Sequence, residues 1–218
     1  MKINAAVFDL DGTLTDTLPL TIHSLKTVTR QLTGKELSDS DILKEFGPVD
    51  TKIIRKLVGN DLSDICEDIY IKHFTDNFHN YVQPLEGIKE LLDFIKASSI
   101  KLGLYTGRGL RATLIILEKL NLTEYFDEIL SGDSVSKPKP DPEGIIKILG
   151  KLGVEPNQGV YTGDFDVDIL ASKAAGTVSV LALWSSTASS DFKKLDPDKF
   201  FTSPFQFIDW IKTNKAGI

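Results

Sequence analysis

One cysteine, one methionine, two tryptophans and three histidines are all that the 218 residues hold of those types. A single thiol, Cys66, excludes an intrachain disulfide, and His23, His73 and His79 lack the spacing of zinc ligands. Basic residues are in deficit as well. Lys and Arg number 25 against 31 Asp and Glu, a net charge of −6 that counts against nucleic acid or an anionic membrane surface as main partner. No apolar run approaches the ~20 residues of a membrane span. The opening Ala5-Ala6-Val7-Phe8 is too short for a span or for the h-region of a signal peptide, and it reads as a strand. These absences predict a cytoplasmic protein, in keeping with its cysteine usage. What is present, 41% hydrophobic and 26% charged residues, marks a globular chain. A chain of this length should bury roughly 70–75% of its unfolded surface, enough for a core without staples.

The pattern along the chain changes twice. Residues 3–10 form a short apolar strand broken only by Asp9, and Asp11-Gly12-Thr13 turns the chain. Helical periodicity follows. Leu18, Ile22, Leu25, Thr29 and Leu32 share one face ahead of Gly34, and Ser38 is placed to cap a second helix carrying Ile42, Leu43 and Phe46. Ile53, Ile54, Leu57 and Val58 mark a third helix, stopped by Gly59-Asn60. Leu62, Ile65, Ile69, Phe74 and Phe78 mark a fourth. Four helices with no strand between them predict a helical domain over 16–83. Beyond Pro84, strands and helices alternate, which signals βαβ units and a parallel sheet. The expected strands lie at 100–105, 128–130, 159–162 and 177–183, and Asp141-Pro142 opens one of the intervening helices. The first strand belongs to that sheet. The expected architecture is therefore α/β, with a parallel-sheet core of residues 1–15 plus 84–218 and a helical domain inserted at 16–83.

Ligands of parallel sheets sit beyond the carboxyl ends of the strands. Asp9 and Asp11 follow the first strand, Thr106-Gly107-Arg108 the second, Lys137 the third, and Asp164, Asp166 and Asp168 the fourth. Such a rim of carboxylates calls for a hard cation, and Mg²⁺ is bound by one or two carboxylates plus substrate phosphate. Aspartate is a covalent nucleophile in phosphoryl transfer. A second carboxyl is needed to protonate the leaving alcohol and then to activate water. Asp-x-Asp supplies both on one segment.

The string Phe8-Asp9-Leu10-Asp11-Gly12-Thr13-Leu14 resembles motif I of the haloacid dehalogenase superfamily. Leu104-Tyr105-Thr106-Gly107 is similar to motif II, Lys137-Pro138-Lys139-Pro140 to motif III, and Gly163-Asp164-Phe165-Asp166-Val167-Asp168 to motif IV. The four occur in order, and the likeness runs from residue 3 to about residue 184. It implies a Rossmann-like core with a helical cap inserted after motif I. It also implies Asp9 as nucleophile, Asp11 as general acid/base, and Thr106 and Lys137 as holders of the phosphoryl oxygens, with Lys139 the weaker claimant. Mg²⁺ would bind Asp9, Asp164 and the main-chain carbonyl of Asp11, with Asp168 in support.

Dehalogenases and phosphonatases of the superfamily lack an acid at the position of Asp11, so its presence implies phosphate esters or anhydrides as substrates. The segment Glu45-Phe46-Gly47-Pro48, with Ile53-Ile54, resembles the cap loop of phosphoglycolate phosphatases and small pyrophosphatases. The expected function is a Mg²⁺-dependent phosphatase acting on a small soluble phosphomonoester through an aspartyl phosphate. The alternatives are a pyrophosphatase, a mutase of the β-phosphoglucomutase type, and a non-catalytic phospho-acceptor module. The mutase branch carries an arginine in its cap loop, whereas residues 45–51 contain no basic residue. A departure from the family pattern is Phe165, where relatives commonly have Ser or Thr, and Asp166 adds an acid with no assigned role. Arg108 reads as a surface residue, Cys66 as a buried apolar one, and Trp184 and Trp210 as packing residues near the last strand and C-terminal helix.

Overall fold

The computed structural model describes residues 2–59, 63–186 and 188–214. Six parallel strands form one sheet: β1 (Ala5–Phe8), β2 (Lys101–Tyr105), β3 (Glu128–Leu130), β4 (Gly159–Gly163), β5 (Val178–Ala182) and β6 (Lys199–Phe201). Their spatial order is β3-β2-β1-β4-β5-β6. The first strand lies inside the sheet and pairs Ala5 with both Lys101 and Gly159, which is why it is apolar throughout. Successive side chains point to opposite faces. Ala5 and Val7 join Tyr105, Tyr161, Ile145, Ile148 and Ala171 in one core. Ala6 and Phe8 join Leu91, Leu92, Leu104, Ile116 and Phe207 in the other. The helices supplying those residues are α5 (Ile88–Ala97), α6 (Leu110–Lys119), α7 (Glu143–Leu152), α8 (Asp166–Ala175) and α9 (Pro204–Asn214). The fold is a sheet covered on both faces, as the strand–helix alternation requires.

Four helices stand between β1 and α5: α1 (Leu18–Thr33), α2 (Asp39–Leu43), α3 (Asp50–Val58) and α4 (Ser63–Tyr81). Gly34 ends α1 in the left-handed conformation at φ 72°, and Ser38 caps α2 through a reciprocal bond with Asp41. Helix α1 packs along α4, and Leu20, Leu25, Phe74 and Phe78 are fully buried and continuous with the core beneath α5 and α6. The two chain crossings into this insertion lie side by side, bridged between Thr15 and Pro84. Leu62 and Asn60, expected to start the fourth helix and stop the third, fall outside the described residues.

Strand β6 lies outside the expected strands: it is three residues long, and its Lys199 and Phe200 are exposed. Its partners explain its place: Phe201 stacks on Phe207 and touches Trp210, and Trp184 stacks on Phe207. Both tryptophans are thus packing residues, as expected. His23 and His73, which have no partner spacing in sequence, lie together across α1 and α4 with ring centroids 5.2 Å apart.

Candidate active site

Strand order reverses at β1, with β2 and β3 on one side and β4 to β6 on the other, and the crevice at such a point is where this fold takes ligands. Asp9 stands there, buried, its amide donating to the Thr162 carbonyl at 2.8 Å. The chain then wraps around the Leu10 carbonyl, which accepts from the amides of Thr13, Leu14 and Thr15. Gly12 sits in this turn at φ 76°, and a Cβ there would lie 2.0 Å from Oδ2 of Asp164. Only glycine lets the β1 turn and the end of β4 come this close. Thr13 secures the approach from the other side, donating from Oγ1 to Oδ1 of Asp164 at 3.3 Å, and Trp184 holds the Thr13 carbonyl at 2.7 Å.

Asp9, Asp164 and Asp168 each present an oxygen within 4.8 Å of the others, and all three are buried. Burial pushes the Asp9 carboxyl up to about 7, with Asp168 and Asp11 adding to the rise against the opposing Lys139. Burial, then Asp168 and Asp9, push Asp164 up to about 8. Three crowded carboxylates facing one ammonium are short of positive charge. An all-oxygen donor set of this kind suits a hard divalent cation.

The ammonium in question belongs to Lys139. Its Nζ donates to Oδ1 of Asp9 at 2.9 Å, to Oδ1 of Asp168 at 2.6 Å and to the Tyr161 hydroxyl at 3.1 Å. All three donors are used. Burial works to lower its pKa, but Asp168 and Asp9 outweigh that and hold Lys139 well above its ordinary range. Lys139, and not the expected Lys137, occupies this place. Lys137 leaves 72% of its side chain exposed, with its ammonium 3.8 Å from Asp141. Its backbone is pinned outward instead. Glu143, first residue of α7, accepts from the amides of Ser136 and Lys137 and from the Ser136 hydroxyl, at 2.9, 3.0 and 2.6 Å. The chain that leaves this clamp turns Lys139 inward.

Thr106 is buried at the end of β2, its amide on the Leu130 carbonyl and its Oγ1 accepting from the Arg108 amide at 3.2 Å. Asp168 accepts from Lys139, from Tyr161 and from the Phe165 amide, so its oxygens are committed to orienting neighbours. Asp166 bonds the amide of Val167, and Phe165 points outward against Phe192. Asp11 is gripped by Arg108, from Nε to Oδ2 at 2.9 Å and from Nη2 to Oδ1 at 3.1 Å, and also accepts from the Thr17 hydroxyl.

Arg108 is a second correction. Instead of lying on the surface it is buried beneath the helical insertion, held by Asp11 and by Asp50 at the start of α3. Asp50 and Tyr161 also escape the sequence reading. A charged residue opening a helix and a tyrosine in a buried strand carry no local signal of what they meet in space.

Residues 6–182 match the family described as haloacid dehalogenase-like hydrolase. A phosphoglycolate phosphatase of Aquifex aeolicus is 33% identical over 178 residues, 82% of this chain and 84% of that one. Pyrophosphatase PpaX of Halalkalibacterium halodurans is 30% identical over 212 residues, covering 97% and 98% of the two chains. Among solved structures, CbbY from Rhodobacter sphaeroides in complex with phosphate superimposes with a TM-score of 0.77 at 20% identity, covering 93% of this chain and 95% of that one. The likeness in sequence spans nearly the whole sheet, from β1 through β5, together with the inserted helices and the acidic cluster at the strand ends. This chain belongs to the haloacid dehalogenase-like hydrolases.

Proposed function

We propose that the chain is a Mg²⁺-dependent phosphatase for a small phosphomonoester, acting through an aspartyl phosphate on Asp9. The observation that carries this reading is the contact of Asp9 with Lys139 inside the Asp9–Asp164–Asp168 cluster. A lysine that holds one oxygen of a buried carboxylate fixes which way the other oxygen can point. It also supplies charge to the phosphoryl group that the other oxygen would meet.

In the first step an oxygen of Asp9 bonds to phosphorus and the ester P–O bond breaks, the departing alkoxide taking a proton from Asp11. In the second, water attacks phosphorus and gives its proton to Asp11, and the P–O bond to Asp9 breaks. Asp9 and Asp164, with the main-chain carbonyl of Asp11, would hold Mg²⁺, which when bound supplies the positive charge the cluster lacks. Thr106 and Lys139 hold the phosphoryl oxygens, and Asp168 keeps Lys139 in place. The inserted helices 16–83 serve as a cap over this site, and their Asp50 at the Arg108 side chain brings them against it.

The relatives named phosphoglycolate phosphatase and pyrophosphatase support a small, highly charged substrate. Phosphoglycolate-like monoesters are preferred, with pyrophosphate the second reading because the PpaX relative spans almost the whole chain. The test is phosphate release from a panel of both kinds with Mg²⁺, followed by acid quench and mass spectrometry of the peptide around Phe8-Asp9-Leu10. Turnover with phosphate on Asp9 is expected. Turnover by Asp9→Asn protein at the wild-type rate would overturn the reading.

A further inference from the structure

A single guanidinium ties together four segments that are remote in sequence. Arg108, in the loop between β2 and α6, donates from Nε and Nη2 to the two oxygens of Asp11, in the turn after β1. The same Nη2 lies 2.9 Å from the hydroxyls of Thr17 and Thr21, where α1 begins. Nη1 reaches Oδ2 of Asp50 at 3.3 Å, and the guanidinium lies over the ring of Phe74 on α4, 5.3 Å from its centroid.

Asp50 is itself over-determined. One oxygen accepts from the Gly109 amide at 3.2 Å, the other from the Tyr70 hydroxyl at 3.2 Å as well as from Arg108. Asp50 and Arg108 are both buried. The surface under Asp50 is built of glycine. A Cβ on Gly109 would lie 2.8 Å from Oδ1 of Asp50, and one on Gly132 would lie 2.6 Å from Cγ1 of Val49. The segment Val49-Asp50 of the helical insertion therefore packs closely on the strand-end loops at Gly109 and Gly132.

A buried guanidinium costs free energy unless its charge is answered, and an arginine fork fixes a carboxylate plane as no single donor can. Here the answering charges are two, one on each body. Without Arg108, the Asp11 carboxylate, about one-third exposed, would be held by the Thr17 hydroxyl at one oxygen and would lose its fixed plane. With both oxygens accepting from Arg108, its plane is fixed.

We propose that Arg108 is a positioning residue that aligns Asp11 for the water-activating step, and that Asp50 makes this alignment depend on the helical insertion being seated on the sheet. The inference rests on Asp11 as the proton-transfer group of the proposed phosphatase. It goes further by assigning a role to two residues whose side chains bond elsewhere than to the nucleophile Asp9. Losing the fork leaves the nucleophile Asp9 and its partner Lys139 intact. Phosphorylation by a substrate whose leaving group needs no proton then proceeds, while breakdown of the aspartyl phosphate slows.

The test uses an aryl phosphate, Mg²⁺ and acid quench on wild type, Arg108→Met, Arg108→Lys and Asp50→Asn, with circular dichroism as the check of folding. Turnover should fall on the order of 100-fold in Arg108→Met, the lower range for a positioned proton-transfer group. The fraction of protein carrying phosphate on Asp9 should rise. Arg108→Lys keeps the charge without the fork and should show the same accumulation, which keeps the test valid if the methionine variant does not fold. Asp50→Asn should show it in smaller degree. Folded variants that lose turnover with no phosphoenzyme, or that turn over at the wild-type rate, would overturn the proposal. A wild-type protein inert toward every phosphate ester would instead overturn the phosphatase reading itself.

Discussion

Nζ of Lys139 lies 2.9 Å from Oδ1 of Asp9, whereas Lys137, two residues earlier, ends at the surface beside Asp141. The contrast makes a paired prediction. Lys139→Met leaves Asp9 and Asp168 without their shared counter-charge and should lower phosphate release about 10²–10³-fold, the usual cost of a lost electrostatic stabiliser. Lys137→Met removes an exposed ammonium and should stay within about twofold, as surface substitutions do. Steady-state rates of the two variants, measured side by side, decide it. The reverse order would return the role to Lys137.

Much of this arrangement was legible in the sequence, and the exceptions have physical reasons. Periodicity reports what a residue's own element buries, so β1, the helices α1 to α8 and the acidic strand ends are all read correctly in kind. The choice between Lys137 and Lys139 depends on how a loop is tethered. That tether is the Glu143 carboxylate on the amides of Ser136 and Lys137, contacts across seven and six residues with no periodic trace. Arg108 looks like a surface residue because arginine usually is one. Its burial is decided by Asp11 and Asp50, 97 and 58 residues away. Strand β6 is three residues long, and its identity comes from pairing with β5, not from its own composition.

Gly12 and Gly34 separate backbone strain from close packing. Both have positive φ, 76° and 72°, but an added Cβ at Gly34 meets open space while one at Gly12 meets the Asp164 carboxylate. Gly34→Ala should cost only the left-handed penalty, about 1–2 kcal/mol. For a chain of this size each kcal/mol lowers Tm by roughly 2–4 °C. Gly12→Ala adds a collision and should lower Tm further while abolishing activity. Equal Tm and activity in the two variants would mean that the β1 turn does not approach β4 as closely as described.

Metal-free protein should lose stability as pH rises. Asp9 and Asp164 have folded-state values raised to about 7 and about 8, so the folded state binds their protons more tightly than the unfolded chain does. That stabilising contribution is full below the ordinary carboxylate range and is lost as pH rises through about 7 and then about 8. Added Mg²⁺ should raise Tm, and by more at pH 8.5 than at pH 6, because the metal competes with those protons. Thermal melts at several pH values, with chelator and with Mg²⁺, give the comparison. A Tm gain from Mg²⁺ that does not grow with pH would remove the acidic cluster as its site.

Asp9 and Asp11 are two residues apart and should fail in different ways. Asp9→Asn removes the nucleophile, so neither turnover nor a covalent intermediate should appear with any ester. Asp11→Asn leaves Asp9 beside Lys139 and takes away the proton carrier. With an alkyl phosphate the first step should stop, because the alkoxide cannot leave unprotonated. With an aryl phosphate whose leaving group is stable as an anion, Asp9 should still be phosphorylated and the second step should stall. Arg108 would then face an amide in place of a carboxylate, able to bond only its one oxygen, but the buried pair with Asp50 would persist and hold the loop. Acid-quenched Asp11→Asn protein should therefore carry phosphate on Asp9 after the aryl ester and none after the alkyl ester. If it carries phosphate after both, the leaving alcohol takes its proton from another group, and Asp11 serves the hydrolytic step alone.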